Sequence, residues 1–384
     1  MWKKIYIKNS ATNSFVETHK QTKHSDKTVC VHIGNPKLCL QPCPKLKVND
    51  SYINEKTSSK YLGNILAESN SIRLGIEQRR QKGWGKIAEI ESIIDECKFG
   101  TDRIHAGILL GNSCLLSSLI FCAEAWAPLS IKEISRLEDI DIALKRCLFN
   151  AQAKTPKISL YLETGTLMIR HIILIRRIMY HKEIITRDSN ELTRKIYEKQ
   201  KSNKTRGDFY QLVFDDYEYL GLQFDEDFIR SFSKSDYKKL VKKAVRTVAF
   251  NEYLSQLKQS RKLKNLSYEK FEIQDYIKNK NISNKEKQLL FSLRTRSYNV
   301  KNNYKNRFKG NLNCRLGCNH LEDQEHVFVY CKFIPSLITI EEYSCIYGSI
   351  TDQIVSIKKL FVIDSVRQSL IDTLSPGGDC SQDP

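Results

Sequence analysis

No stretch of this 384-residue sequence offers a glycine-rich phosphate loop, a His-Glu-x-x-His metal pair or a Gly-x-Ser-x-Gly nucleophile turn. Chemistry built on those motifs is therefore excluded. No uninterrupted apolar run reaches membrane length either. The nearest stretch, 106–123, carries no charge, but Asn112, three serines and two glycines interrupt it and Glu124 follows. A buried helix is expected there rather than a span of about 20 residues. Residues 1–10 show no apolar run after their basic residues, so no secretory signal is expected. The strand–helix alternation of a parallel α/β sheet is missing, as is any internal repeat.

Paired catalytic carboxylates are also scarce. Asp139 and Asp141 stand two apart in a helical pattern and so point in different directions. Phe214-Asp215-Asp216 resembles the end of a polymerase Y-x-D-D turn, yet it sits in a helical pattern with no hairpin around it. Two-metal phosphoryl transfer needs carboxylates held about 4 Å from shared metals on a rigid support. Neither pair is expected to be catalytic.

What the sequence does hold is positive charge. Its formal net charge is +18, which asks for a polyanionic partner, because clustered cations repel unless phosphates neutralise them. The excess is uneven: residues 236–310 hold 20 Lys and Arg against 6 Asp and Glu. Tyr237, Tyr253, Tyr268, Tyr276, Tyr298, Tyr304 and Phe308 interleave with these cations. Such rings can stack on bases while cations hold phosphates, or pack inward as core.

The predicted architecture is mainly α. A strand at Thr28–Ile33 and a hairpin at 45–53, turning at Asn49-Asp50, precede it. From about residue 70 the pattern is helical. Residues 71–96 repeat isoleucine at helical spacing, interrupted at Gly83 and Gly85. Ser130 and Glu133 form a capping box before the stripe Ile134, Leu137, Ile140, Leu144 and Leu148, and Pro156 ends that unit. Another helix is expected over roughly 165–186, and a second capping box at Ser283 and Glu286.

Twelve cysteines are present. Cys97, Cys114, Cys122 and Cys147 lie in apolar helix-like stretches, where a free thiol behaves as a small hydrophobe. A reducing compartment, nucleus or cytoplasm, is therefore expected, and paired cysteines read as metal ligands. The sharpest signal is CRLGCNHLEDQEHVFVYC at 314–331. Cys314, Cys318, His326 and Cys331 form two close pairs, Gly317 permits a tight turn in the first, and Val327, Phe328 and Val329 supply apolar filling. Four protein ligands would make a structural Zn2+ site. His320 is the rival fourth ligand. A second group, Cys30, His32, Cys39 and Cys43, lacks paired tight turns and is not expected to bind metal.

Taken in order, several stretches resemble the C-terminal half of a reverse transcriptase from LINE-type (non-LTR) retrotransposons. They are Val31-His32-Ile33-Gly34, Cys43-Pro44-Lys45-Leu46-Lys47-Val48, Lys60-Tyr61-Leu62-Gly63-Asn64-Ile65 and Ile76-Glu77-Gln78-Arg79 with Lys82-Gly83. They continue with Thr155-Pro156-Lys157, Leu160-Tyr161-Leu162-Glu163-Thr164-Gly165, Arg206-Gly207-Asp208, Leu293-Arg294-Thr295-Arg296 and the terminal Cys/His cluster. The resemblance covers roughly 27–374. It implies a palm-end remnant with a primer-grip hairpin over 1–66, a helical thumb over 67–155, a basic helical connector over 156–310 and a zinc knuckle with a C-terminal helix over 311–384. The family's catalytic aspartates lie before the Val31–Gly34 strand, in motifs this chain does not contain, so an inactive RNA- and DNA-binding piece is implied. Its expected nucleic-acid contacts are Lys60, Tyr61, Gly63, Arg79, Arg80, Lys82, Lys86, Arg294, Arg296 and Arg307. Two other readings stay open: a helical interaction protein with incidental charge, and an accessory part of a polymerase completed by another chain.

Overall fold

A computed structural model describes residues 72–126, 128–307, 310–348 and 354–374, together with short strand segments between 29 and 67. The architecture is mainly helical. The strands form three two-stranded ladders. β1 (Val29–Cys30) runs parallel to β4 (Asn54–Glu55). β2 (Lys47–Val48) pairs antiparallel with β3 (Ser51–Tyr52), placing Val48 opposite Ser51. β5 (Ser58–Tyr61) pairs antiparallel with β6 (Asn64–Ala67), with Tyr61 in register with Asn64.

Helix α1 (Arg73–Glu96) is continuous through Gly83 and Gly85, contrary to the interruption expected there. Gly83 is instead a packing position: a Cβ there would stand 2.7 Å from Ile140 Cγ2. The uncharged 106–123 stretch is divided into α2 (Arg103–Leu110), a π-helical turn (Gly111–Leu115) and α3 (Leu116–Leu119). Its Leu115, Leu116 and Leu119 are buried. Among the described residues no single helix is long and apolar enough to cross a membrane; one pair, Lys157–Thr164 with Ile169–Thr186, passes by length and composition only across a 57° bend.

Helix α4 (Ile131–Phe149) starts on the complete Ser130–Glu133 capping box and ends at Asn150, whose left-handed backbone stops it before Pro156 is reached. Then follow α5 (Lys157–Thr164), α6 (Ile169–Thr186), α7 (Leu192–Asn203), α8 (Phe209–Leu220), α9 (Glu226–Ser231), α10 (Lys234–Gln259) and the short α11 (Asp275–Lys278). The Ser283–Glu286 box opens α12 (Asn284–Arg294), and α13 (Ile340–Ser344) and α14 (Ile354–Leu374) close the order.

The described buried side chains gather in two cores. The larger draws on 76–173 and again on 249–363, including Cys314, Cys318, Phe328 and Cys331. The smaller is formed by residues between Leu174 and Val245. The larger core crosses both boundaries expected from sequence, 155/156 and 310/311: Phe149 stacks on Phe291 with centroids 4.2 Å apart. Helices α6 and α10 serve both cores, and α10 shows how. Tyr237, Val241, Val245, Ala249, Tyr253 and Leu257 are buried at every fourth position. Four residues turn a helix by about 400°, so each step moves the buried line by about 40° and the series by roughly 200°. The first three face the small core and the last three the large one.

Of the two readings of the tyrosines, inward packing is the one that holds for those described. Tyr237, Tyr253, Tyr268, Tyr276, Tyr298 and Tyr304 are all buried and belong to the interior. Phe308 lies outside the described residues. The cysteines of the helical region depart the other way: Cys97, Cys114 and Cys147 are exposed and Cys122 is half-exposed.

Candidate metal centre and basic surface

The chain around Cys314 folds back on itself as a small knuckle. The Cys314 N–H donates to the His320 carbonyl at 2.8 Å, and the Glu322 N–H to the Leu312 carbonyl at 2.8 Å. Between them Gly317 takes a φ of 84°, and its N–H returns to the Cys314 carbonyl at 3.0 Å. That turn brings Cys314 and Cys318 together. The second pair comes from a single π-helical turn, His326–Tyr330, started by Asp323, whose Oδ1 accepts the His326 N–H at 2.8 Å. His326 begins the turn and Cys331 ends it.

All four side chains are buried, and their ligand atoms lie within 4.8 Å of one another. Cys331 Sγ is 4.0 Å from Cys314 Sγ and 3.9 Å from Cys318 Sγ. A zinc tetrahedron with bonds of about 2.3 Å has sulfur–sulfur edges of roughly 3.8 Å, so these spacings fit. Cys318 Sγ and His326 Nε2 are 2.9 Å apart, a thiol–imidazole contact, so a metal would spread this pair by about half an ångström. The N–H groups of Leu316 and Phe333 hydrogen-bond Cys314 and Cys331, favouring the thiolate that a metal requires. Without a metal, burial dominates: it raises the Cys314 thiol and pushes Cys331 up to about 12, while burial and then His320 lower His326. His320 is not the fourth ligand. Its Nδ1 donates to the Cys318 carbonyl at 2.7 Å, and its ring stacks on His326.

Sequence reasoning missed the group that docks this knuckle. Glu322 is 1% exposed. Its Oε1 accepts from Arg315 Nη2 at 2.5 Å and from Arg367 Nη2, on α14, at 3.0 Å. Burial alone would raise the Glu322 carboxyl, but the Arg315 hydrogen bonds and charge, and then Arg367, hold it below its usual range. Arg367 Nη1 also donates to Tyr298 Oη at 2.9 Å, and the Tyr298 ring meets Phe328 at 5.2 Å. Only an acidic residue inside the knuckle flanked by arginine could have hinted at this in the sequence.

Comparison with protein-family models, with curated proteins and with solved structures returned no match.

The expected nucleic-acid contacts divide. Lys60 on β5 and Lys82 on α1 are exposed. Arg80 is paired with Glu77 at 3.2 Å and Lys86 with Glu89 at 2.5 Å, both near the surface. Arg296 is half-buried. Two assignments are corrected. Arg79 is 7% exposed, lies over the Trp126 ring at 4.9 Å and donates to the Ser118 carbonyl. Arg294 is 1% exposed and bound to Glu163, with Nε 2.8 Å from Oε1. Guanidiniums buried on internal partners are not offered to phosphate. Gly63 and the side chains of Tyr61 and Arg307 lie outside the described residues, as do the side chains of the Cys30, His32, Cys39 and Cys43 group.

Cations absent from those expectations do share a face. Lys238, Lys239, Lys242 and Lys243 of α10 are all exposed, opposite buried Tyr237 and Val241. Lys239 also reaches Asp236 at 3.0 Å. Neither aspartate pair is arranged for metals. Asp139 binds Lys157 and buried Asp141 binds Lys145, while on α8 Asp216 is held by Arg177 and Asp215 accepts from Gln211.

Proposed function

We propose that this chain is a nucleic-acid-binding, catalytically inactive piece of a non-LTR retrotransposon reverse transcriptase, carrying one structural zinc. The observation that carries the binding reading is the α10 face, where Lys238, Lys239, Lys242 and Lys243 stand exposed within about nine ångströms of helix rise. Phosphates at single-strand spacing can neutralise such a row, releasing counterions. The net charge of +18 favours the same class of partner. The zinc reading is supported by three cysteines and a histidine converging in a buried knuckle whose four positions are all supplied by protein. The retrotransposon origin rests on the ordered motif resemblance, in which the Lys60-Tyr61-Leu62-Gly63 stretch matches the family's primer grip.

A salt titration tests the binding reading. Affinity for single-stranded RNA is expected to fall steeply with salt. Lys238→Glu with Lys242→Glu is expected to weaken it and to reduce the log–log salt slope by roughly 0.7 per lost phosphate contact. Binding that ignores both salt and these substitutions would favour a protein-interaction role instead. On a primed template the purified protein is expected to incorporate no nucleotide.

A further inference from the structure

A cleft of about 320 Å³ lies where α3, α6 and α10 meet. Its polar lining includes Arg176, Arg246 and Asn112, and no Asp or Glu lines it. Both guanidiniums are anchored from behind. Arg176 Nη1 donates to the Ile120 carbonyl at 2.9 Å, and Arg246 Nη2 donates to the Phe271 carbonyl with its guanidinium over the Phe271 ring at 4.6 Å. Each therefore keeps further N–H donors while losing little freedom on binding. Glu124 pairs with Arg176 at 3.7 Å and stands outside the lining. The Asn112 amide belongs to the π-helical turn and has no side-chain partner among the described residues. Ser117 and Thr166 contribute no donor: the Ser117 hydroxyl donates to the Ser113 carbonyl at 2.6 Å, and Thr166 Oγ1 meets Thr164 Oγ1 at 2.8 Å. The aliphatic part of the lining comes from half-buried Leu167 and Ile172, beside Leu116 and Ile120, which are buried.

We propose that this cleft binds one nucleotide unit, with its phosphoryl group on Arg176 and Arg246 and its ring against the aliphatic lining. Two fixed guanidiniums without an acidic neighbour in the lining select an anion, and their forked donors match phosphate oxygens. Leu167 and Ile172, the half-buried part of that lining, distinguish the ligand from free phosphate, because they offer apolar area to a flat ring. The N-terminal end of α6, which follows Leu167, adds positive potential. Arg246 stands one turn beyond Lys242 on α10, so the cleft adjoins the end of the lysine face, while Arg176 and Asn112 come from other elements.

Calorimetric titration of the full chain with adenosine 5′-monophosphate, adenosine and inorganic phosphate tests the assignment. The monophosphate is expected to bind at least tenfold more tightly than either of the others. Arg176→Gln and Arg246→Gln are each expected to lose about tenfold. Since Arg246 also packs on Phe271, Asn112→Asp serves as a second probe: the residue is exposed, so the thermal midpoint should hold while a new carboxylate lowers affinity tenfold or more. Adenosine binding as well as its monophosphate, no binding of the monophosphate, or unchanged affinity in Asn112→Asp would overturn the proposal. A single-stranded RNA that still binds when the monophosphate does not would sink this site and leave the lysine face standing.

Discussion

The buried Cys314, Cys318, His326 and Cys331 cluster, which could hold a metal ion, sets what metal removal should do. One equivalent of zinc is expected by elemental analysis, and Cys314→Ser with Cys331→Ser is expected to abolish it. Because Cys314, Cys318 and Cys331 belong to the larger core, loss of the metal should also lower the thermal midpoint of the chain. Unchanged metal content in the double variant would refute the ligand set. Two other histidines carry a pH dependence. His181 is fixed between Tyr197 Oη at 2.9 Å and Tyr217 Oη at 3.2 Å, and burial brings it down to about 4. His171 also falls to about 4, through burial and then the charge of Arg170. Unfolding frees both to protonate near the ordinary 6.5, so stability present above pH 6.5 is lost as pH falls toward 4. Each full shift is worth on the order of 3 kcal/mol. Urea midpoints at pH 7 and pH 5 measure the loss, and His181→Gln should shrink the difference. An equal difference in that variant would show that His181 does not carry it.

Between elements, Glu163 on α5 pairs with Arg294 on α12, both fully buried. Tyr268 Oη donates to Glu163 Oε1 at 2.6 Å, and Arg294 Nη1 donates to the Gly348 carbonyl at 2.9 Å, so four segments meet at one pair. Glu163→Gln leaves a buried guanidinium without its counter-charge and is expected to cost about 3–5 kcal/mol, read from a denaturant midpoint. The paired change Glu163→Leu with Arg294→Met should recover much of that; no recovery would mean the pair is needed for more than charge balance. Element starts were legible beforehand. Both serine capping boxes could be read three residues apart, because a cap is a local bond. The partners of Arg79 and Arg294 could not be read. Glu163 lies 131 residues from Arg294, and nothing local marks either as interior.

At the scale of the whole molecule, α6 and α10 run through both cores and should make them unfold together. Val241→Ala, a cavity in the smaller core, is expected to accelerate hydrogen exchange in α4 and α12 of the larger one. Exchange there that stays at the wild-type rate would mean the cores open independently. The larger core also runs across the positions 155/156 and 310/311. Pro156 and the start of the knuckle punctuate the chain locally, yet α4, α12 and the knuckle bury their apolar faces on one another.

Helix content, cap positions, the hairpin registers and the Cys/His cluster follow from contacts spanning fewer than twenty residues, and such spacings can be read along the chain. Which cations face outward, and which tyrosines are core, depends on how helices far apart in sequence turn toward each other. The every-fourth-residue line on α10 winds around its helix, so only the packing of two separate cores reveals that its tyrosines are buried while its lysines share an open face.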